Sequence, residues 1–252
     1  MESVSLNGHV AVVTGASKGL GRQMAESLAR AGARVTLVAR SESLLNEVAL
    51  GICERGGAAQ YVVADVTDEV AAAEVEQAVS EAYGACDILV NNAGINNRKA
   101  IEDFSLEEWH EILEVNLTGP FMMSRAFVPG MKAQKWGRII NMTSIMSHVS
   151  LPQRTGYSTT KAGLLGFTKA LALELAPYNI TVNGISPGPF ATEMNRPLIQ
   201  DPVKNREFLG RLPVGRWGKV EEIGQLAVYL CSDGAGFLTG TDVVIDGGWT
   251  AQ

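Results

Sequence analysis

From Val10 onward the chain alternates short β-branched runs with longer helical stretches, and this rhythm limits the fold more than any other feature. Val10–Val13, Arg34–Ala39, Gln60–Ala64, Ile88–Asn91, Arg138–Met142, Thr181–Ile185 and Asp242–Ile245 read as strands. They are short and apolar on both faces, as parallel strands are when helices cover each side of the sheet. Helical periodicity fills the gaps, for example at Gly21–Ala31, Glu69–Tyr83, Leu106–Lys132, Tyr157–Ala176 and Val220–Cys231. Repeated strand–helix units predict an α/β fold with a doubly wound parallel sheet. With 252 residues and neither an internal repeat nor a linker, the whole of 1–252 reads as one domain. One stretch breaks the rhythm: Pro187 to Pro213 carries five prolines and no clear strand. A long insert of this kind in a compact domain is usually functional, and a substrate lid is expected there.

Composition narrows the function classes. Hydrophobic residues make up 46% and charged residues 19%, which suits a packed core. The net charge is −6 and no Lys/Arg cluster is long enough to track a phosphate backbone, so nucleic acid is not an expected partner. The opening residues lack a basic and apolar leader, and no apolar run approaches the roughly 20 residues of a membrane span. Cys53, Cys86 and Cys231 match no metal-ligand spacing and read as free thiols in a reducing compartment. A soluble cytoplasmic protein is the expectation.

The first strand runs into Thr14-Gly15-Ala16-Ser17-Lys18-Gly19-Leu20-Gly21 and then a helix. Glycines at 15, 19 and 21 let the backbone turn tightly and approach a pyrophosphate, which the free N–H groups of the helix start attract. The spacing is G-x-x-x-G-x-G rather than the G-x-G-x-x-G dinucleotide fingerprint. At the tip of the second strand, where a carboxylate would select NAD, the chain has Arg40. Arg40 and Lys18 are cations suited to a 2′-phosphate, so NADP(H) is the expected cofactor, with Glu42 as a ribose ligand that would blur the preference. Asp65 after the third strand can accept from the adenine amino group. Asn91-Asn92-Ala93-Gly94 after the fourth is small and polar enough for close cofactor approach.

Tyr157 and Lys161 are four residues apart at a helix start and so share one face. A phenol titrates near pKa ~10, and a nearby ammonium is expected to lower that value. Ser144, just past the strand at Arg138–Met142, can bond the substrate oxygen beside the Tyr157 hydroxyl. Asn116, polar amid Val115 and Leu117, either satisfies helix backbone groups or holds a water that relays protons to Lys161.

Together, Thr14-Gly15-x-x-x-Gly19-x-Gly21, Asn91-Asn92-Ala93-Gly94, Asn116, Ser144, Tyr157-x-x-x-Lys161 and Pro187-Gly188 resemble the short-chain dehydrogenase/reductase family over essentially the whole chain. The resemblance implies a Rossmann-like fold of seven parallel strands and a catalytic tetrad of Asn116, Ser144, Tyr157 and Lys161. It implies a cofactor lying along Gly15, Ser17, Lys18, Gly19, Leu20, Gly21, Arg40, Asp65, Val66, Asn92, Ala93, Gly94, Tyr157, Lys161, Pro187, Gly188 and Thr192, the last on the nicotinamide carboxamide. It also implies a dimer or tetramer through the helices carrying Asn116 and Tyr157.

The reaction so implied is reversible reduction of a ketone to a secondary alcohol. Substrate contacts are expected from Ser144, Ile145, Met146, Gln153, Tyr157, Phe190 and Met194, with Ile95, Asn96 and Val149 nearby. These offer no charge clamp, although Arg98 can reach a carboxylate. Two groups within the family look similar: sugar-acid enzymes such as gluconate 5-dehydrogenase, through Gly94–Phe104 and Arg211–Gly218, and the 3-oxoacyl-carrier-protein reductases. The latter need a basic patch at the entrance, which Arg125, Lys132, Lys135 and Arg138 offer only loosely. A non-catalytic NADP(H)-binding protein would be expected to lack the serine, tyrosine or lysine, and all three are present.

Overall fold

Strand packing follows directly from the apolar runs. In the computed structural model, which describes residues 4–252 except the side chain of Met194, seven parallel strands form one sheet in the order β3-β2-β1-β4-β5-β6-β7. They are β1 (Val10–Thr14), β2 (Arg34–Ala39), β3 (Ala58–Val63), β4 (Ile88–Asn91), β5 (Gly137–Met142), β6 (Ile180–Pro187) and β7 (Asp242–Ile245). Nine α-helices accompany them among the described residues: α1 (Gly19–Arg30), α2 (Glu42–Glu54), α3 (Glu69–Tyr83), α4 (Leu106–Leu113), α5 (Gly119–Gln134), α6 (Thr155–Leu175), α7 (Arg196–Gln200), α8 (Pro202–Leu209) and α9 (Val220–Leu230).

Side chains alternate across each strand. Ala11 and Val13 of β1 point to one core with Met24 and Leu28 of α1, Val48 of α2 and Ile223 of α9. Val10 and Val12 point to the other, with Val75 of α3, Phe127 of α5 and Leu175 of α6. Both faces are therefore covered, which is why the strands lack polar alternation. The strand order reverses between β1 and β4. At such a reversal the loops leaving the carboxyl ends diverge and open a crevice.

Three elements differ from the sequence expectation. The run Leu106–Lys132 is not one helix: a π turn, Glu114–Thr118, separates α4 from α5. The helix α2 was not among those read from the sequence. The insert beginning at Pro187 is largely helical, because Pro202 opens α8 and Asp201 caps it by accepting from Val203 and Lys204 N–H. The Trp249 ring packs 5.5 Å from that of Phe208 in α8, and Phe208 stacks on Trp217 at 4.6 Å, so the carboxyl-terminal segment lies against the insert.

Candidate active site

The glycine turn is built by close approach. Gly15 and Gly19 take φ of +63° and +58°, a region that costs other residues strain. A Cβ on Gly21 would stand 2.3 Å from Asn92 Nδ2 and 2.4 Å from the Gly15 carbonyl oxygen, whereas one on Gly19 would meet nothing within 4 Å. The turn is thus tight on its inner side and open at Gly19, a cradle into which backbone N–H groups of α1 project. Asn92 holds it shut: its amide donates to the carbonyls of Thr14 and Gly15, and the Asn92 and Ala93 N–H groups donate to Thr14 Oγ1. Lys18, exposed, precedes α1 and forms no side-chain cap. Ser17 is half-buried in the turn, and Leu20 leans on the core.

Neighbouring strand ends complete the crevice. Exposed Arg40 lies 3.6 Å from Asp65 Oδ2. Asp65 Oδ1 is taken up by Thr67 N–H and Oγ1, leaving Oδ2 free of those bonds. Val66 is buried beside Gly119. Pro187 ends β6, and Gly188 approaches so near that a Cβ would stand 2.6 Å from Asp246 Cα. Thr192, half-buried, donates its N–H to the Phe190 carbonyl. These groups suit a dinucleotide with an extra phosphate: a glycine cradle for the pyrophosphate and two exposed cations at the tips of β1 and β2.

The tetrad converges where α6 crosses the end of β5. Ser144, buried, caps a short 3-10 turn by accepting from Met146 N–H, and its hydroxyl acts on the ionisation of the Tyr157 phenol. Burial raises the Tyr157 pKa above its ordinary 10; the Ser144 hydrogen bond and the Arg154 charge act against that rise. Lys161 is buried and donates to the Met142 carbonyl at 2.6 Å, with Nζ 5.7 Å from the Tyr157 ring centroid. Burial lowers its pKa to about 8. Arg154 adds a positive charge that favours the phenolate.

Asn116 sits inside the π turn, fully buried. Its Oδ1 accepts from Ile95 N–H at 2.8 Å, and its Nδ2 donates to the Ile95 carbonyl and to Thr160 Oγ1. The amide thereby clamps the loop after β4 to α6. Gly94 lies close to this crossing, where a Cβ would stand 3.2 Å from Asn116 Oδ1 and 3.6 Å from Lys161 Nζ.

The expected substrate contacts are only partly brought together. Ile145 and Met146 are buried next to Ser144, and Ile95 and Asn96 are half-buried on the opposing loop. Gln153 is exposed with φ +64°, and Val149 is exposed. Phe190 packs on the core, seated on Gly218 where a Cβ would approach it to 2.6 Å, and it lines a cavity with Pro189, Ile245 and Asp246. The side chain of Met194 lies outside the described residues. Glu42 begins α2, two residues past Arg40.

Two features escaped the sequence reading. Arg154, just before α6, donates to Asn96 Oδ1 at 2.9 Å, and burial followed by the charge of Arg98 lowers its pKa. A polar knot behind Ser144 joins β5, β6 and β7: the Asp242 carboxylate accepts from Thr143 and Ser186 at 2.6 Å each and meets His148 Nε2 at 2.6 Å. Neither leaves a spacing signal, because the partners are up to 99 residues apart. The proposed basic patch is also dispersed. Lys132, Lys135 and Arg138 stand at the start of β5, the edge away from the site, Arg138 is buried, and Arg125 pairs with Glu69.

The family described as enoyl-(acyl carrier protein) reductase matches residues 15–250. The 3-oxoacyl-(acyl-carrier-protein) reductase of Aquifex aeolicus is 38% identical over 97% of this chain and 98% of its own. The gluconate 5-dehydrogenase of Gluconobacter oxydans is 37% identical over 98% of this chain and 97% of its own. Among solved structures, the gluconate 5-dehydrogenase of Burkholderia cenocepacia in complex with NADP and tartrate superposes with TM-score 0.93 at 35% identity, covering 99% and 98% of the two chains. A putative NAD(P)-dependent gluconate 5-dehydrogenase from Beutenbergia cavernae with bound NADP gives TM-score 0.93 at 39% identity over 100% of both.

Proposed function

The chain belongs to the short-chain dehydrogenase/reductase family, and from that premise we propose that Tyr157 is the acid–base of an NADP(H)-dependent enzyme reversibly reducing a ketone to a secondary alcohol. The observation carrying this assignment is the convergence of Ser144, Tyr157 and Lys161 beside the glycine cradle. Bound NADPH supplies the hydride. Ser144 and Tyr157 hydroxyls orient the carbonyl oxygen, and Tyr157 donates its proton as charge develops on that oxygen. Its place in the first turn of α6, with Arg154 close by, stabilises the phenolate left behind. Lys161 would hold the nicotinamide ribose of the bound cofactor and help supply the proton, while Asn116 fixes the loop that bears Gly94. The relatives that bind NADP and the exposed pair Lys18 and Arg40 support NADP(H).

The residues of the glycine turn, together with Asp65, Val66, Ala93, Pro187 and Thr192, would hold the cofactor. The 187–213 insert acts as the lid. A homotetramer or dimer is the proposed assembly, since Phe121 on α5 and Leu173 on α6 are exposed apolar side chains on long helices. No helix among the described residues is long and apolar enough to cross a membrane. Free thiols at Cys53, Cys86 and Cys231 suit a reducing, cytoplasmic setting.

Steady-state assay of Tyr157→Phe tests the assignment. Turnover with any ketone substrate is expected to fall by at least ~100-fold, the usual scale of acid–base catalysis, while NADPH still quenches protein fluorescence on binding. Near-normal turnover in this variant would remove Tyr157 from the mechanism.

A further inference from the structure

A carboxylate withdrawn from water needs donors around it, and Asp242 is the most enclosed carboxylate among the described ion pairs, its side chain 5% exposed. Room for it is made in β6. Gly184 stands opposite Asp242 in the strand register, and a Cβ on Gly184 would stand 2.1 Å from Asp242 Oδ1. Three groups close on the carboxylate, each at 2.6 Å: Thr143 Oγ1 on Oδ1, and Ser186 Oγ and His148 Nε2 on Oδ2. A carboxylate only accepts, so the His148 nitrogen facing it carries the proton.

Two of these donors flank Ser144. Thr143 precedes it, and His148 follows at the end of the 3-10 turn Ile145–Ser147. One carboxylate on β7 thus grips both ends of the segment that bears the Ser144 hydroxyl. The turn is fastened to α6 as well, where Ser147 Oγ donates to the Lys161 carbonyl at 3.0 Å. Thr143 and Ser186 hydroxyls lie 3.0 Å apart and can bond each other, so joining β5 to β6 does not require Asp242. The tie that the carboxylate alone provides is the one to His148. That side chain is 34% exposed, so filling the core does not account for its placement.

We propose that Asp242 and His148 are positioning residues for the reaction: their hydrogen bond fixes the turn after Ser144 and so aims the Ser144 hydroxyl at the oxygen of the reacting carbonyl. The inference rests on the ketone-reductase reading of the same site. Both residues act through Ser144 and not on the substrate itself. Such a tie matters because displacing a reacting group by about 1 Å can cost ~100-fold in rate.

The first variant is His148→Ala, since a partly exposed ring can be removed with little effect on the core. Melting curves and fluorescence titration with NADPH check that the protein still folds and binds cofactor. With the best ketone found for the wild type, kcat should fall by at least about tenfold, part of the loss that misplacement can cause. KM should change by less than about twofold, because the Ser144 bond strengthens as charge develops on the oxygen. His148→Gln keeps an N–H donor and should regain part of the rate, and Asp242→Ala should repeat the loss.

A Ser144→Ala background separates positioning from a merely structural role. There His148→Ala should lower kcat by less than about twofold, since the hydroxyl it aims is gone and the two effects cannot add. Losses that multiply in the double variant would overturn the proposal, as would wild-type kcat in both His148→Ala and Asp242→Ala. If the wild type reduces no ketone, the reductase reading fails and the positioning role goes with it. If it reduces ketones and the losses multiply, that reading stands and only the positioning role falls.

Discussion

Lys161 buries an ammonium against a single carbonyl, that of Met142. Its pKa of about 8 stands below the lysine value of 10.5 because water is excluded. Below pH 8 both the folded and unfolded chains carry the proton; between 8 and 10.5 only the unfolded chain does. Stability from this group therefore rises with pH across that window, by ~3 kcal/mol at ~1.4 kcal/mol per pH unit. Melting curves from pH 7 to 10.5 should show that slope reduced in Lys161→Met. Parallel profiles for the two proteins would mean that Lys161 is ordinary. Ser144, Tyr157 and Lys161 were legible because each holds a position whose backbone setting the sequence reveals: a strand end, a helix start and one turn further on. Arg154 was not, since a charged residue in a loop looks the same whether it faces solvent or a site. Its meaning comes from Asn96, 58 residues away.

At the scale of elements, the glycine turn is the most demanding. Gly21 cannot accept a methyl group without displacing the Gly15 carbonyl or the Asn92 amide. Gly21→Ala should cost ~1–3 kcal/mol, the usual penalty for overpacking. It should also weaken NADPH by at least tenfold, about 1.4 kcal/mol. Urea denaturation and fluorescence titration check the two effects, and wild-type affinity in a stably folded variant would count against this cradle. The π turn at Glu114–Thr118 went unseen because one extra residue per turn scarcely disturbs a helical apolar pattern, whereas it rotates Asn116 toward Ile95 and Thr160. In the insert, Asp201-Pro202 was a readable helix start that the run of prolines obscured.

Across the whole molecule, parts distant in sequence are tied at the carboxyl edge. Trp249, Phe208 and Trp217 join the terminal segment to the proposed lid. An aromatic pair contributes ~0.5–1.5 kcal/mol, so Trp249→Ala should open that lid about 2- to 10-fold more often. Limited proteolysis within 196–209 should quicken accordingly, and an unchanged cleavage rate would mean that the tail does not restrain it. The Asp242 knot acts in the same way on the other side of the site, linking β7 to the turn that bears Ser144 through His148 and Thr143. By itself the sequence determined the strand–helix alternation, all seven strand positions to within a residue or two at each end, and the glycine turn. Those are local properties, written in side-chain periodicity and in backbone positions that only glycine tolerates well. Tertiary structure alone decided that Phe190 seats on Gly218, that Arg138 is buried and that Arg125 pairs with Glu69. Burial and charge pairing depend on what lies across space, and spacing along the chain does not encode it.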